Sequence, residues 1–130
     1  GNPYTIPVLA ARKRSSIYYH SFIHGKMMDI MQENPMACIC AVHTASVIPL
    51  SNDLAFASCV GVGKAHIVTD PAEIIQAMRL ICEKVAMDNI NRFESKIPFS
   101  LPHLGVVRID IEKMTGKANL PGISQDGKDD

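Results

Sequence analysis

The stretch from Ser16 to Pro35, Ser-Ile-Tyr-Tyr-His-Ser-Phe-Ile-His-Gly-Lys-Met-Met-Asp-Ile-Met-Gln-Glu-Asn-Pro, restricts the fold more than any other part of the chain. Ile17 to Tyr19 is a β-branched and aromatic run suited to a strand, and His20 and Ser21 stand at its end. From Lys26 the apolar residues Met27, Met28, Ile30 and Met31 recur at helical spacing, until Asn34-Pro35 stops the run. Strand end, loop and helix start therefore bring imidazole, hydroxyl, ammonium and free backbone N–H groups into one short stretch. Such a set can hold an anion such as a phosphate. It equally suits a plain strand-to-helix connection with an exposed lysine.

On the N-terminal side, Gly1-Asn2-Pro3 is turn chemistry, and Tyr4 to Ala10 follows as a predicted strand. A turn at the first residue implies that a first strand is missing from the sequence. Arg12 to Ser16 reads as a charged hairpin loop. Beyond Pro35, Met36 to Thr44 is almost continuously apolar, which predicts a strand buried on both faces. Ala45 to Asp53 reads as a loop, and Leu54 to Val68 as one long strand or a bent pair. Within it, Gly61-Val-Gly63-Lys64 lacks the spacing of a phosphate loop and is followed by strand rather than helix, so its glycines mark a bulge, a bend or a close approach.

Asp70-Pro-Ala-Glu73 signals a helix start, with Asp70 as cap, Pro71 at the first helical position and Glu73 placed to complete a capping box. The predicted helix runs to about Met87 with Ile74, Ile75, Met78, Ile81, Cys82 and Val85 as its apolar stripe. Asp88 to His103, rich in Asn, Pro and Phe, reads as irregular. Gly105 to Ile111 alternates as a strand, with Val107, Ile109 and Ile111 on one face and Val106, Arg108 and Asp110 on the other. Glu112 to Lys117 is expected to turn away from it, and residues 118–130 to form a polar tail. The order predicts a mostly β (α+β) domain over residues 1–117, an antiparallel barrel with two helices packed outside it. A barrel of this size fills its own interior, so a ligand would bind outside it or at a subunit interface.

Charge and cysteines narrow the function classes. With 13 basic and 13 acidic residues the formal net charge is zero, and there is no tryptophan, so nucleic acid is not an expected partner. No apolar run is long enough to span a membrane, and no secretory signal is visible. Cys38, Cys40, Cys59 and Cys82 lie in or beside apolar runs, which predicts reduced, buried thiols in a cytoplasmic protein. Cys38 and Cys40 share one strand face near His43, but no second ligand pair stands at zinc spacing, and no metal site is expected.

Taken together, several segments resemble the pyridoxamine 5′-phosphate oxidase-like FMN-binding split barrels, and among these the nitroimidazole-resistance branch. They are Pro3-Tyr-Thr-Ile-Pro-Val8, Ile17-Tyr-Tyr-His-Ser21, Gly25-Lys26-x-x-Asp29-Ile, Glu33-Asn-Pro35, Ser58-x-x-Gly61-x-Gly63-Lys-Ala65, the capped helix at Asp70, and Val107-Arg-Ile-Asp-Ile111 with Thr115-Gly-Lys117. The resemblance spans about Asn2 to Lys117. It implies a homodimer of split barrels with FMN at the interface. Ile6, Pro7, Val8 and Leu9 would run beside the isoalloxazine ring. His20 and Ser21 would sit near the ribityl-phosphate or flavin edge, Lys26 would pair with the phosphate, and Ser58 would approach from the interface.

The resemblance further implies an FMN-dependent oxidoreductase that takes electrons from a nicotinamide donor and reduces nitroaromatic compounds, with His20 as the candidate proton donor. Relatives of this kind usually carry two consecutive basic residues after the loop glycine, where this chain has Lys26 and Met27, and a larger polar residue where it has Ala57. One lost phosphate partner would cost about 1 to 3 kcal/mol. The alternative is a non-catalytic flavin- or haem-binding split barrel, for which His24, His43, His66 and His103 are the other candidate axial ligands.

Overall fold

The computed structural model describes residues 2–85, 88 and 90–121. Its elements are β1 (Ala10–Lys13), β2 (Ser16–Phe22), α1 (Lys26–Glu33), β3 (Met36–Ile48), β4 (Asp53–Ile67), α2 (Pro71–Val85), α3 (Ile90–Ser100) and β5 (Leu104–Asn119), with a 3-10 turn over Leu101–His103 before β5. The strands hydrogen-bond in the order β1-β2-β5-β4-β3, and β1–β2 and β2–β5 are antiparallel. The chain divides into two compact units, one of Gly1–Ala37 with Gly63–Glu112, the other of Cys38–Val62 with Lys113–Asp130.

In the first unit, register assigns the faces of the sheet. Tyr19 stands opposite Ala10 and Val107, and Tyr18 opposite Ala11 and Arg108. Tyr18 packs with Val68, Ile74, Ala77 and Val106, so this face is covered by α2. The other face carries Tyr19, whose hydroxyl lies 3.4 Å from Met27 Sδ and 3.5 Å from Met31 Sδ of α1. Close approach here depends on Gly105, where a Cβ would come within 2.7 Å of Met28 Cε. Gly63 is tighter still, because a Cβ there would run into the Asp110 carbonyl group. Both glycines serve backbone proximity, as the strand reading of Gly63 anticipated.

α2 begins as its sequence predicts, with Asp70 Oδ1 accepting from the Ala72 N–H at 3.2 Å. Glu73 does not close a capping box; its carboxylate is taken by Tyr18 and Arg108 instead. Ile74, Ala77, Ile81 and Cys82 are the buried residues of α2, while Val85 is exposed. The expected extension to Met87 lies outside the described residues.

Four expectations are corrected. Tyr4 to Leu9 form no strand, because Pro3 and Pro7 lack the N–H groups a ladder needs; the first strand begins only at Ala10 and takes in Arg12 and Lys13. Asp88 to His103 is not irregular but contains α3, a third helix, which tolerates Pro98 because only the bond to the Glu94 carbonyl is lost near its end. Glu112 to Lys117 does not turn away: β5 runs on to Asn119. Of the tail expected over residues 118–130, Ala118 and Asn119 belong to β5, and residues 122–130 lie outside the described residues.

The fourth correction concerns the second unit. β3 continues to Ile48, so the loop shrinks to a tight turn in which Leu50 and Asn52 adopt positive φ of 66° and 52°. β3 is the last strand of the sheet and is largely exposed, Cys38 and Cys40 included, rather than buried on both faces. Cys59 is half-buried and Cys82 buried, and all four thiols are free of disulfides. Within this unit the Ser58 hydroxyl donates to the Lys117 carbonyl at 3.1 Å, and the Asn119 amide donates to Leu54 O at 2.9 Å and Asp53 Oδ2 at 3.2 Å. Val42, Val47, Leu50, Leu54 and Met114 are exposed.

Candidate functional site

The first unit gathers most of the residues singled out by sequence, but distributes them over two faces. His20 and Ser21 are consecutive on β2, opposite Val106 and Gly105, so their side chains leave the strand in opposite directions. Ser21 goes to the face covered by α1. His20 goes to the face of Tyr18 and lines a cavity of about 380 Å³ with residues of α2, α3 and the start of β5. A ligand on one face meets one of the pair; contact with both requires it to lie across the strand end at Phe22.

Lys26 is the first residue of α1 and is exposed. Its ammonium stands 4.7 Å from the centre of the Tyr4 ring, which ties the N-terminal segment to the helix start by a cation–π contact. Gly25 at the N-cap has φ of 139° and offers no side chain, so the first-turn N–H groups receive no side-chain cap. Uncapped N–H groups beside an ammonium have the donor chemistry a phosphate monoester needs. Asp29, in the same turn, adds the opposing charge. Ile6, Pro7, Val8 and Leu9 lie in the irregular segment before β1 and are exposed, presenting apolar surface. Ser58 belongs to the second unit.

A second constellation escaped the sequence reading. On the α2 face, Glu73 Oε1 accepts from Tyr18 Oη at 2.9 Å and from Arg108 Nη1 at 2.5 Å. Arg108 Nε also donates to Asp110 Oδ1 at 3.0 Å, and Asp110 accepts from Ser16 Oγ at 2.7 Å. His66 Nε2 lies 3.2 Å from Asp110 Oδ2. The Arg108 hydrogen bond, more than any other contact, holds the Glu73 carboxyl below its ordinary range, and Glu73 in turn raises Arg108. Burial works against ionisation of Asp110, but the Ser16 and Arg108 donors outweigh it and its pKa is lowered. Tyr18 is pushed up by burial and by Glu73, and Tyr19 by burial. The group is therefore a charged clamp with a neutral phenol, joining α2 to β2, β4 and β5. Its signal in the sequence is the alternation that puts Arg108 and Asp110 on one strand face; only the strand register reveals that they stand opposite Tyr18 and Ser16.

No group of three or more potential metal ligands occurs among the described residues, and none of their helices is long and apolar enough to cross a membrane.

Comparison with known proteins adds a family and a set of folds. The family model described as pyridoxamine 5′-phosphate oxidase matches residues 1–118. No curated protein sequence matches significantly. Among solved structures, a candidate 5-nitroimidazole antibiotic resistance protein from Bacteroides thetaiotaomicron superposes with a TM-score of 0.74 at 22% identity, over 89% of this chain and 69% of that one. A flavocytochrome from Azotobacter vinelandii gives a TM-score of 0.74 at 16% identity, over 96% of this chain and 61% of that one. A FAD-binding protein from Mesorhizobium loti gives 0.54 at 21% identity, over 89% and 75%. At these identities the likeness is one of fold.

Proposed function

The chain belongs to the pyridoxamine 5′-phosphate oxidase family, with its mostly β, antiparallel split-barrel fold, and from that premise we propose that it is a flavin-dependent oxidoreductase. The observation that supports the reading is the uncapped start of α1 with Lys26 beside it, a donor set suited to a phosphate. The residues fit the phosphate of FMN. Lys26 and the first-turn N–H groups hold it, Ser21 serves it from the α1 face, and Ile6 to Leu9 supply the apolar edge along the ring. Flavin names on two of the structural relatives support the cofactor class.

When bound, the flavin supplies hydride acceptance and donation; this chain contributes binding, orientation and exclusion of water. FMN, a nicotinamide donor and a nitroaromatic acceptor are the components proposed, the last supported by the Bacteroides relative. Ser58 contributes from the interface of a cytoplasmic homodimer. The apolar side chains left exposed along β3, β4 and β5, Val42, Val47, Leu54 and Met114, support such an assembly, since a second copy would cover them.

Lys26→Ala tests the phosphate assignment. Losing one charge-assisted contact of about 1.5 to 3 kcal/mol should weaken FMN binding roughly ten- to a hundredfold, while riboflavin, which lacks the phosphate, binds as before. Equal weakening of both ligands would place Lys26 elsewhere on the flavin or outside its site.

A further inference from the structure

We propose that the cavity between α2 and α3 is a second ligand site, built for a small amphipathic anion: one acidic group on an aliphatic or aromatic body. Its volume of about 380 Å³ falls within the roughly 300–1,000 Å³ of small-molecule sites. Its walls are apolar. Ile74, Ile75 and Met78 of α2 form one side and Phe93 and Ile97 of α3 the other. The charged residues lining it are all cationic: Arg92 and Lys96, one helical turn apart on α3. His20 and Ser100 are the other polar residues of the lining, and among the described residues no carboxylate lines the cavity.

The cations are available to a ligand. Glu94 of α3 is engaged with Arg79 at 2.9 Å, and Glu73 with Arg108, so neither carboxylate serves Arg92 or Lys96. Neither of these two has a carboxylate partner among the described residues. A hydrocarbon body would replace water against the apolar walls, and its acid group would meet two unneutralised charges at the rim. A neutral apolar ligand leaves the cations unused, and a bare inorganic anion leaves the walls wet. Only the combination uses the whole cavity. The cationic end of the cavity stands apart from the flavin phosphate, because Lys26 and Ser21 belong to the α1 side of the sheet; His20, the candidate proton donor, is the one residue the two readings share.

Calorimetric titration of the full chain with octanoate and with 1-octanol tests this. Octanoate should bind at least about tenfold more tightly than octanol, a preference that two charge-assisted contacts supply. The charge-reversing pair Arg92→Glu and Lys96→Glu changes only exposed side chains; it should abolish the preference and leave octanol binding unchanged. Met78→Trp should fill the cavity and remove both ligands, and if that variant fails to fold the charge reversal decides alone. Equal affinity for the two probes in the unmodified protein, or a preference that survives charge reversal, overturns the proposal. So does displacement of octanoate by FMN, which would make the cavity part of the flavin site; unchanged octanoate binding in FMN-saturated protein supports two separate sites.

Discussion

Arg108 is the hinge of the charged clamp, and Arg108→Met removes its charge while keeping most of the volume of its stem. Two links are lost. The bond to Glu73 joins side chains that are 28% and 24% exposed, so it counts at the value of a partly buried charged hydrogen bond. The bond to Asp110 involves a carboxylate 43% exposed, and water screens it. Taking about 1.5 to 3 kcal/mol for the first and about 0 to 1 for the second gives a loss of about 1.5 to 4 kcal/mol at neutral pH. For a chain of this size that lowers Tm by about 10 °C.

The pH dependence separates this loss from simple loss of packing. Glu73 and Asp110 have folded-state pKa values below their ordinary ones. Their contribution is therefore complete above the unfolded carboxylate range, near pH 4, and disappears as pH falls through the lower folded values. Urea unfolding of the protein and of Arg108→Met should show the full stability gap at neutral pH and a gap that narrows steadily below about pH 4. A gap of constant size across this range would refute the electrostatic account and leave only the packing of the arginine stem.

Gly63→Ala forces a methyl group into the Asp110 carbonyl, where neither backbone can yield cheaply; it should cost at least about 2 kcal/mol in urea unfolding, and a neutral result would mean that β4 and β5 shift apart freely. In flavin-loaded protein, His20→Ala should lower turnover more than FMN affinity, measured by steady-state reduction of a nitroaromatic acceptor and by flavin fluorescence titration. Unchanged turnover would remove His20 from the chemistry and leave it to the α2–α3 cavity.

Much of the architecture was legible because local chemistry and tertiary demand agree in it. The strand and helix of Ser16 to Glu33, the Asp70 cap and the long strand around Gly61 and Gly63 each follow from propensity, capping and periodicity. Phe93, Ile97 and Leu101 recur at helical spacing, but Pro98 and the asparagine residues at the start of the segment read as breakers, so the sequence does not predict α3. The apolar run of β3 predicts a doubly buried strand, but composition does not say that a strand ends at the sheet edge. The candidate site was legible as a list of residues and not as an arrangement. Alternation alone places His20 and Ser21 on opposite faces, but which face meets α1 and which meets the cavity depends on packing. The clamp of Tyr18, Glu73, Arg108 and Asp110 joins residues far apart in sequence, and no short motif announces such a contact.

The most direct test of the flavin assignment is the visible absorbance spectrum of the purified chain after mixing with FMN and gel filtration. The account predicts that the two bands of oxidised flavin travel with the protein, bleach when a nicotinamide donor is added without oxygen, and are much reduced in Lys26→Ala. A protein that elutes folded and colourless after saturation with FMN would contradict the central claim.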